Sequence, residues 1–146
     1  MNMIVTARTG AGGNSQSKVR AVLSLFKLRI GFMIMLTAVV GMLVVPGPAP
    51  GLAAMVVLAL SVLVASASAG AFNQYHEYDS DRLMARTRGR AFVTGVVQRS
   101  PVWLLVMGVM LAAAVGVAAW WLNGVSALFV FLGAFFYAVV YTVVLK

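Results

Sequence analysis

The chain has 146 residues, of which 62% are hydrophobic and 10% charged, and its mean hydropathy is +0.99; a soluble domain with an ordinary surface does not reach these values, so the solvent for which it is built is lipid. The absence of cysteine excludes a disulfide framework and thiolate metal sites, leaving oxygen atoms and the single histidine, His76, as metal donors. The net charge of +8 does not argue for nucleic acid, because the cations flank apolar segments and follow a membrane logic.

Residues 1–20 are basic and small and lack the apolar core of a secretory signal, so they read as a flexible cytoplasmic tail. A membrane-spanning helix needs about 20 mostly apolar residues, because the hydrocarbon core is roughly 30 Å thick and each residue rises about 1.5 Å. Four segments qualify, which predicts an all-α polytopic transmembrane bundle. The first covers about 30–45 and can extend backward through 21–26, with Lys27 and Arg29 snorkelling from near its end. The prolines at 46, 48 and 50 stop it. The second covers about 52–72, and its later part, from Ser61 through Ala65 to Gly70, is rich in small residues that let neighbouring helices approach closely. After a loop over 73–100, Ser100 as N-cap and Pro101 at the first position open a third span to about 122. Asn123-Gly124 reads as a tight turn, and the fourth span covers about 125–145.

The 11 cations fall before the first span (Arg8, Lys18, Arg20, Lys27, Arg29), between the second and third (Arg82, Arg86, Arg88, Arg90, Arg99) and at Lys146. With four spans, this places both termini and the 73–100 loop in the cytoplasm and Trp120 and Trp121 at the opposite interface.

The chain has three acids, and all lie within five residues: Glu77, Asp79 and Asp81. Two carboxylates about 6 Å apart repel by roughly 2–3 kcal/mol at an effective dielectric near 20. If the second helix runs through them, its negative end adds a further penalty. A bound divalent cation reverses both terms. Asn73, Glu77 and Asp81 are spaced four apart and form one oxygen-bearing stripe on a helix. An amide and two carboxylates suit Mg²⁺, which binds through one or two carboxylates and completes its shell with substrate phosphates. The following Arg86, Arg88 and Arg90 can hold phosphate oxygens in bidentate fashion. The alternative is a solvated charge cluster, with Asp79 paired to Arg82 three residues on and the arginines anchored to anionic lipid. That account leaves Glu77 and Asp81 with no basic residue four positions on.

The run from Asn73 through Glu77, Asp79 and Asp81 to Arg82-Leu83-Met84-Ala85-Arg86-Thr87-Arg88-Gly89-Arg90 resembles the first aspartate-rich motif of the UbiA-type intramembrane prenyltransferase family, NxxxDxxxD followed by MxRT and an arginine. The added acid at Asp79, the run DRLMARTRGR followed by Val93-Thr94-Gly95, the opening Lys27-Leu28-Arg29-Ile30 and the closing Tyr141-Thr142 are most similar to the protoheme IX farnesyltransferase (haem O synthase) branch. Glu77 stands where aspartate is usual, Tyr78 and Ser80 replace arginine and isoleucine, and Ala91 replaces proline. The family has about nine spans and a second aspartate-rich motif, whereas this chain has four spans and no further acid.

The resemblance therefore implies the N-terminal half of an enzyme of the bacterial inner membrane, inactive alone, that moves a farnesyl group from farnesyl diphosphate to a vinyl group of haem b to make haem O. It implies Mg²⁺ as cofactor. Asn73, Glu77 and Asp81 become metal and catalytic residues, Asp79 an auxiliary ligand, and Arg86, Arg88 and Arg90 diphosphate contacts. The implied partners are the two substrates, the bilayer, and haem A synthase or a missing C-terminal half. Two other readings stay open: a prenyltransferase for another acceptor such as 4-hydroxybenzoate, and a non-catalytic four-helix membrane scaffold. A transporter is disfavoured, because no charge lies within the four spans. His76 reads as an interfacial residue, and Tyr137 and Tyr141 as packing.

Overall fold

The computed structural model describes residues 13–145, so most of the stretch read as a tail, and Lys146, lie outside the described residues. The described part is helical, with no strand. Helix α1 (Gly13–Leu25) includes residues 13–20, which the sequence assigned to the tail. It meets α2 (Leu28–Val44) at a bend of 42°. The hinge is Lys27, whose φ of 44° and ψ of 44° put a residue with a side chain in the left-handed region. That conformation costs about 1–2 kcal/mol, so it persists only where its surroundings hold it. Part of the hold comes from Gln74, whose side-chain amide donates to the carbonyls of Ser24 (2.9 Å) and Leu25 (3.1 Å), acceptors that the end of α1 would otherwise leave unmet.

Helix α3 (Leu52–His76) is the centre of the bundle and packs against α2, α5 (Val102–Trp121) and α6 (Gly124–Phe135). The small-residue stretch is what makes this crowding possible. Ser61, Ala65, Ala67, Ser68, Ala69 and Gly70 are all buried. Ala65 and Ala69 meet Ala114 and Ala118 of α5 and Ala127, Val130 and Ala134 of α6 in one cluster. On the α2 side, a Cβ at Gly31 would come within 3.3 Å of the Leu63 side chain. The Ser68 hydroxyl donates to the Met107 carbonyl at 2.7 Å, which places a polar tie between α3 and α5. Asn123 caps α6 by accepting from the Ser126 amide at 2.7 Å.

Three helical stretches, Leu52–His76, Val102–Trp121 and Gly124–Val144, are long and apolar enough to cross a membrane, and the bent α1–α2 pair makes a fourth if taken as one span. The expected polytopic helical architecture is therefore present. Two boundaries differ from the sequence reading. The segment 73–100 is not loop throughout, because α3 continues to His76 and a short helix α4 (Tyr78–Leu83) follows. The last span changes character after α6 and continues as a π-helix over Phe136–Val144, with the Leu145 amide reaching back five residues to the Val140 carbonyl at 3.0 Å.

Candidate functional site

The acidic segment sits where α3 gives way to α4. Glu77 is the junction, at φ −81° and ψ 8°. Its amide still donates to Asn73 (3.0 Å), and the Asp81 amide to Glu77 (2.8 Å), so the four-residue ladder runs through the break and keeps the stripe in register. Because a new helix starts here, Asp79 and Asp81 lie in its first turn, where anions are tolerated, rather than at the negative end of a continuous one.

Glu77 and Asp81 are buried and brought together. Both carboxylates bond the same guanidinium nitrogen: Arg90 Nη1 donates to Glu77 Oε2 at 3.0 Å and to Asp81 Oδ2 at 2.5 Å. Burial works against the Arg90 charge, but the bonds and attraction to Asp81 and Glu77 outweigh it and hold its pKa above the ordinary guanidinium value. Arg90 is carried by a turn, and the turn is anchored next door. Ala91 and Phe92 are buried, and the Phe92 ring meets Tyr75 edge-on at 5.7 Å and Trp103 at 5.9 Å. Gly95, at φ +72°, closes the loop beyond them. The Thr87 hydroxyl donates to the Asp81 carbonyl at 3.1 Å, fastening the arginine-threonine run to α4.

The other expected site residues separate. Asp79 is 82% exposed and faces Arg99 at 3.9 Å, away from the buried pair. Arg99 also stacks over the rings of Tyr75 (4.8 Å) and Tyr78 (5.0 Å), and Arg82 over Tyr78 (5.6 Å), so neither of these arginines is committed to Asp81. Arg86 lines a cavity of about 450 Å³ together with Glu77, Asp81, Arg90, His76 and Thr142. Arg88 is exposed and outside that lining.

Asn73 occupies the next step of the stripe inward. It is buried, its Oδ1 accepts from Lys27 Nζ at 2.7 Å, and its Nδ2 donates to the Thr142 hydroxyl at 3.2 Å. Lysine can only donate, which fixes the orientation of the amide. Lys27 Nζ also donates to the Tyr137 hydroxyl at 3.1 Å. Sequence reading did not find Lys27, Tyr137 or Thr142 as neighbours of the acids. No periodic signal marks them, because the last span runs on as a π-helix, in which the Thr142 hydroxyl donates to the Tyr137 carbonyl five residues back at 2.9 Å. Tyr137 further lines a second cavity of about 400 Å³ between α2, α3 and α6 whose walls are almost wholly apolar.

The donor set is oxygen only, and two buried carboxylates already aim at one cationic nitrogen; in kind this fits Mg²⁺. Among the described residues no third histidine, cysteine, aspartate or glutamate joins them. Chemically, the arrangement offers a cation seat beside a basic cavity wall, at the mouth of an apolar bundle.

Residues 34–146 match the UbiA prenyltransferase family. Among curated proteins, the chain is similar to protoheme IX farnesyltransferase 2 of Paramagnetospirillum magneticum, at 47% identity over 130 residues covering 89% of this chain and 45% of that protein. It is also similar to the protoheme IX farnesyltransferases of Anaplasma marginale (40% identity, 98% of this chain, 46% of the relative) and Brucella anthropi (37% identity, 90% and 42%). It thus spans a little under half the length of the curated relatives it matches. No solved structure matches it. With the family match covering most of its length and the motif residues gathered at one end of a helical bundle, this chain belongs to the UbiA prenyltransferase family.

Proposed function

We propose that this chain supplies the first metal–diphosphate motif of a protoheme IX farnesyltransferase, which transfers farnesyl from farnesyl diphosphate to a vinyl group of haem b. The observation that carries the reading is the convergence of buried Glu77 and Asp81 on one cation position beside Arg86 and Arg90. The names of the relatives support farnesyl as the donor group and protoheme as the acceptor.

In this reading Glu77 and Asp81 hold Mg²⁺, and Asn73 joins them where Lys27 releases its oxygen. The bound metal would neutralise charge on the leaving diphosphate. Arg86, and Arg90 once freed from the acids, contact the diphosphate oxygens; Arg88, exposed and outside the cavity lining, is left out of this set. Positive charge aimed at the leaving group is where stabilisation is worth most, because that charge develops in the transition state. The C–O bond to diphosphate breaks with its electron pair on oxygen, and a vinyl carbon of haem b bonds to the farnesyl carbon. Water adds to the resulting cation and a proton is released, giving hydroxyethylfarnesyl. The apolar cavity walled by Ile34, Leu58, Val62, Phe129 and Val130 suits an isoprenoid chain in chemistry. The motif end faces the cytoplasm of a bacterial inner membrane, with the cations on that side.

The test is haem O formation from haem b, farnesyl diphosphate and Mg²⁺ in membranes, using this chain alone and joined to the C-terminal half of a full-length relative, each with and without Asp81→Asn. Activity confined to the joined form and lost with the substitution supports the proposal. Joined protein that prenylates 4-hydroxybenzoate and not haem b moves the acceptor elsewhere.

A further inference from the structure

We propose that Arg90 is the resident counter-ion and positioning residue of the Glu77–Asp81 pair, and that a divalent cation takes the seat by displacing its guanidinium. The inference rests on the reading of these acids as a metal site.

Two carboxylates whose side chains are only 9% and 4% exposed cannot both stay charged without a cation between them. Arg90 meets that need with a single atom. Since Glu77 Oε2 and Asp81 Oδ2 both reach Nη1, the two oxygens already converge on one cationic atom. The acids are fixed to their place by the ladder through Asn73, Glu77 and Asp81. The arginine's backbone is also held, by Thr87 and Thr94, but its long side chain is 22% exposed and borders the same 450 Å³ cavity as Arg86, so the guanidinium can swing while the acids stay. It is therefore the partner that can leave, and it can leave into a space where an anion would meet two guanidinium groups. With only two carboxylates in reach, the rest of the metal's shell must come from water or from oxygens of that anion. Metal entry and release of Arg90 toward the anion thus become one linked exchange, each favouring the other.

Mn²⁺ binding to the 146-residue chain in lipid nanodiscs, read from the electron paramagnetic resonance signal of the free ion with no diphosphate present, tests the exchange. Arg90→Gln removes the competing cation and should tighten Mn²⁺ on the order of tenfold, whereas Arg90→Lys, which keeps the charge, should stay near the unsubstituted chain. Arg90→Gln binding Mn²⁺ no more tightly overturns the exchange and leaves the metal site standing. No Mn²⁺ binding by any of the three overturns both. A second measurement needs no variant to fold: in the unsubstituted chain, the guanidinium ¹⁵N resonance of Arg90 should shift as Mg²⁺ is added, and a resonance unmoved at saturating Mg²⁺ contradicts displacement.

Discussion

The middle of the bundle and its charged end are held together by opposite means. In the middle, Ala65, Ala69, Ala114, Ala118, Ala127 and Ala134 bring three helices together by having almost no side chain. In a bilayer, where apolar side chains gain nothing by leaving lipid, close approach and dispersion do this work. At the end, Lys27, Asn73, Tyr137, Thr142, Glu77, Asp81 and Arg90 use polar side chains to bridge residues that are 9 to 110 positions apart. The first region is tightest where Ala114 and Ala118 meet α3 and carries no polar chemistry. The second has chemistry and depends on buried charges always having a partner, whether arginine or metal.

Substitutions that respect this contrast should separate cleanly. The largest effect belongs to Glu77→Gln, which leaves Asp81 and Arg90 without half of their pairing. Haem O formation by the joined protein should fall by at least about 100-fold, with helix content by circular dichroism unchanged. Ala118→Leu should do the reverse. It forces volume between α3, α5 and α6 at a fully buried position and should lower resistance to unfolding in detergent by about 1–3 kcal/mol, with any loss of activity tracking the folded fraction. Smaller again is Lys27→Met, which removes both tethers of Asn73 and Tyr137 while keeping the length of the stem; turnover should drop by about tenfold with little change in unfolding. Arg88→Gln, exposed and off the cavity wall, should change turnover by less than about twofold. Equal losses from Arg88→Gln and Lys27→Met would show that overall positive charge, not the buried network, governs the site.

What could be read in advance follows the same division. Four apolar runs, the small face of α3 and the four-residue stripe are local patterns, and periodicity displays them. Arg90 was read as a contact for diphosphate because its neighbours in sequence are arginines. Its pairing with Glu77 and Asp81 depends on where Phe92 docks between Tyr75 and Trp103, a tertiary fact with no local signature. Lys27 looked like a snorkelling end residue. Its side chain turns inward because the backbone takes a left-handed turn there, and few sequence signals announce that conformation outside glycine and asparagine. Tyr137 and Thr142 were hidden by the π-helix, which shifts their faces from where a 3.6-residue period puts them.

The sharpest test lies inside the acidic segment itself, where Asp79 and Asp81 stand two residues apart with opposite fates, one exposed beside Arg99 and one buried on Arg90. Asp79→Asn and Asp81→Asn should be compared in the joined protein by initial rates of haem O formation at saturating Mg²⁺. The account predicts a loss of at least about 100-fold for Asp81→Asn and less than about threefold for Asp79→Asn. Equal losses, or the larger loss at Asp79, would contradict the assignment of the buried pair as the metal-binding centre.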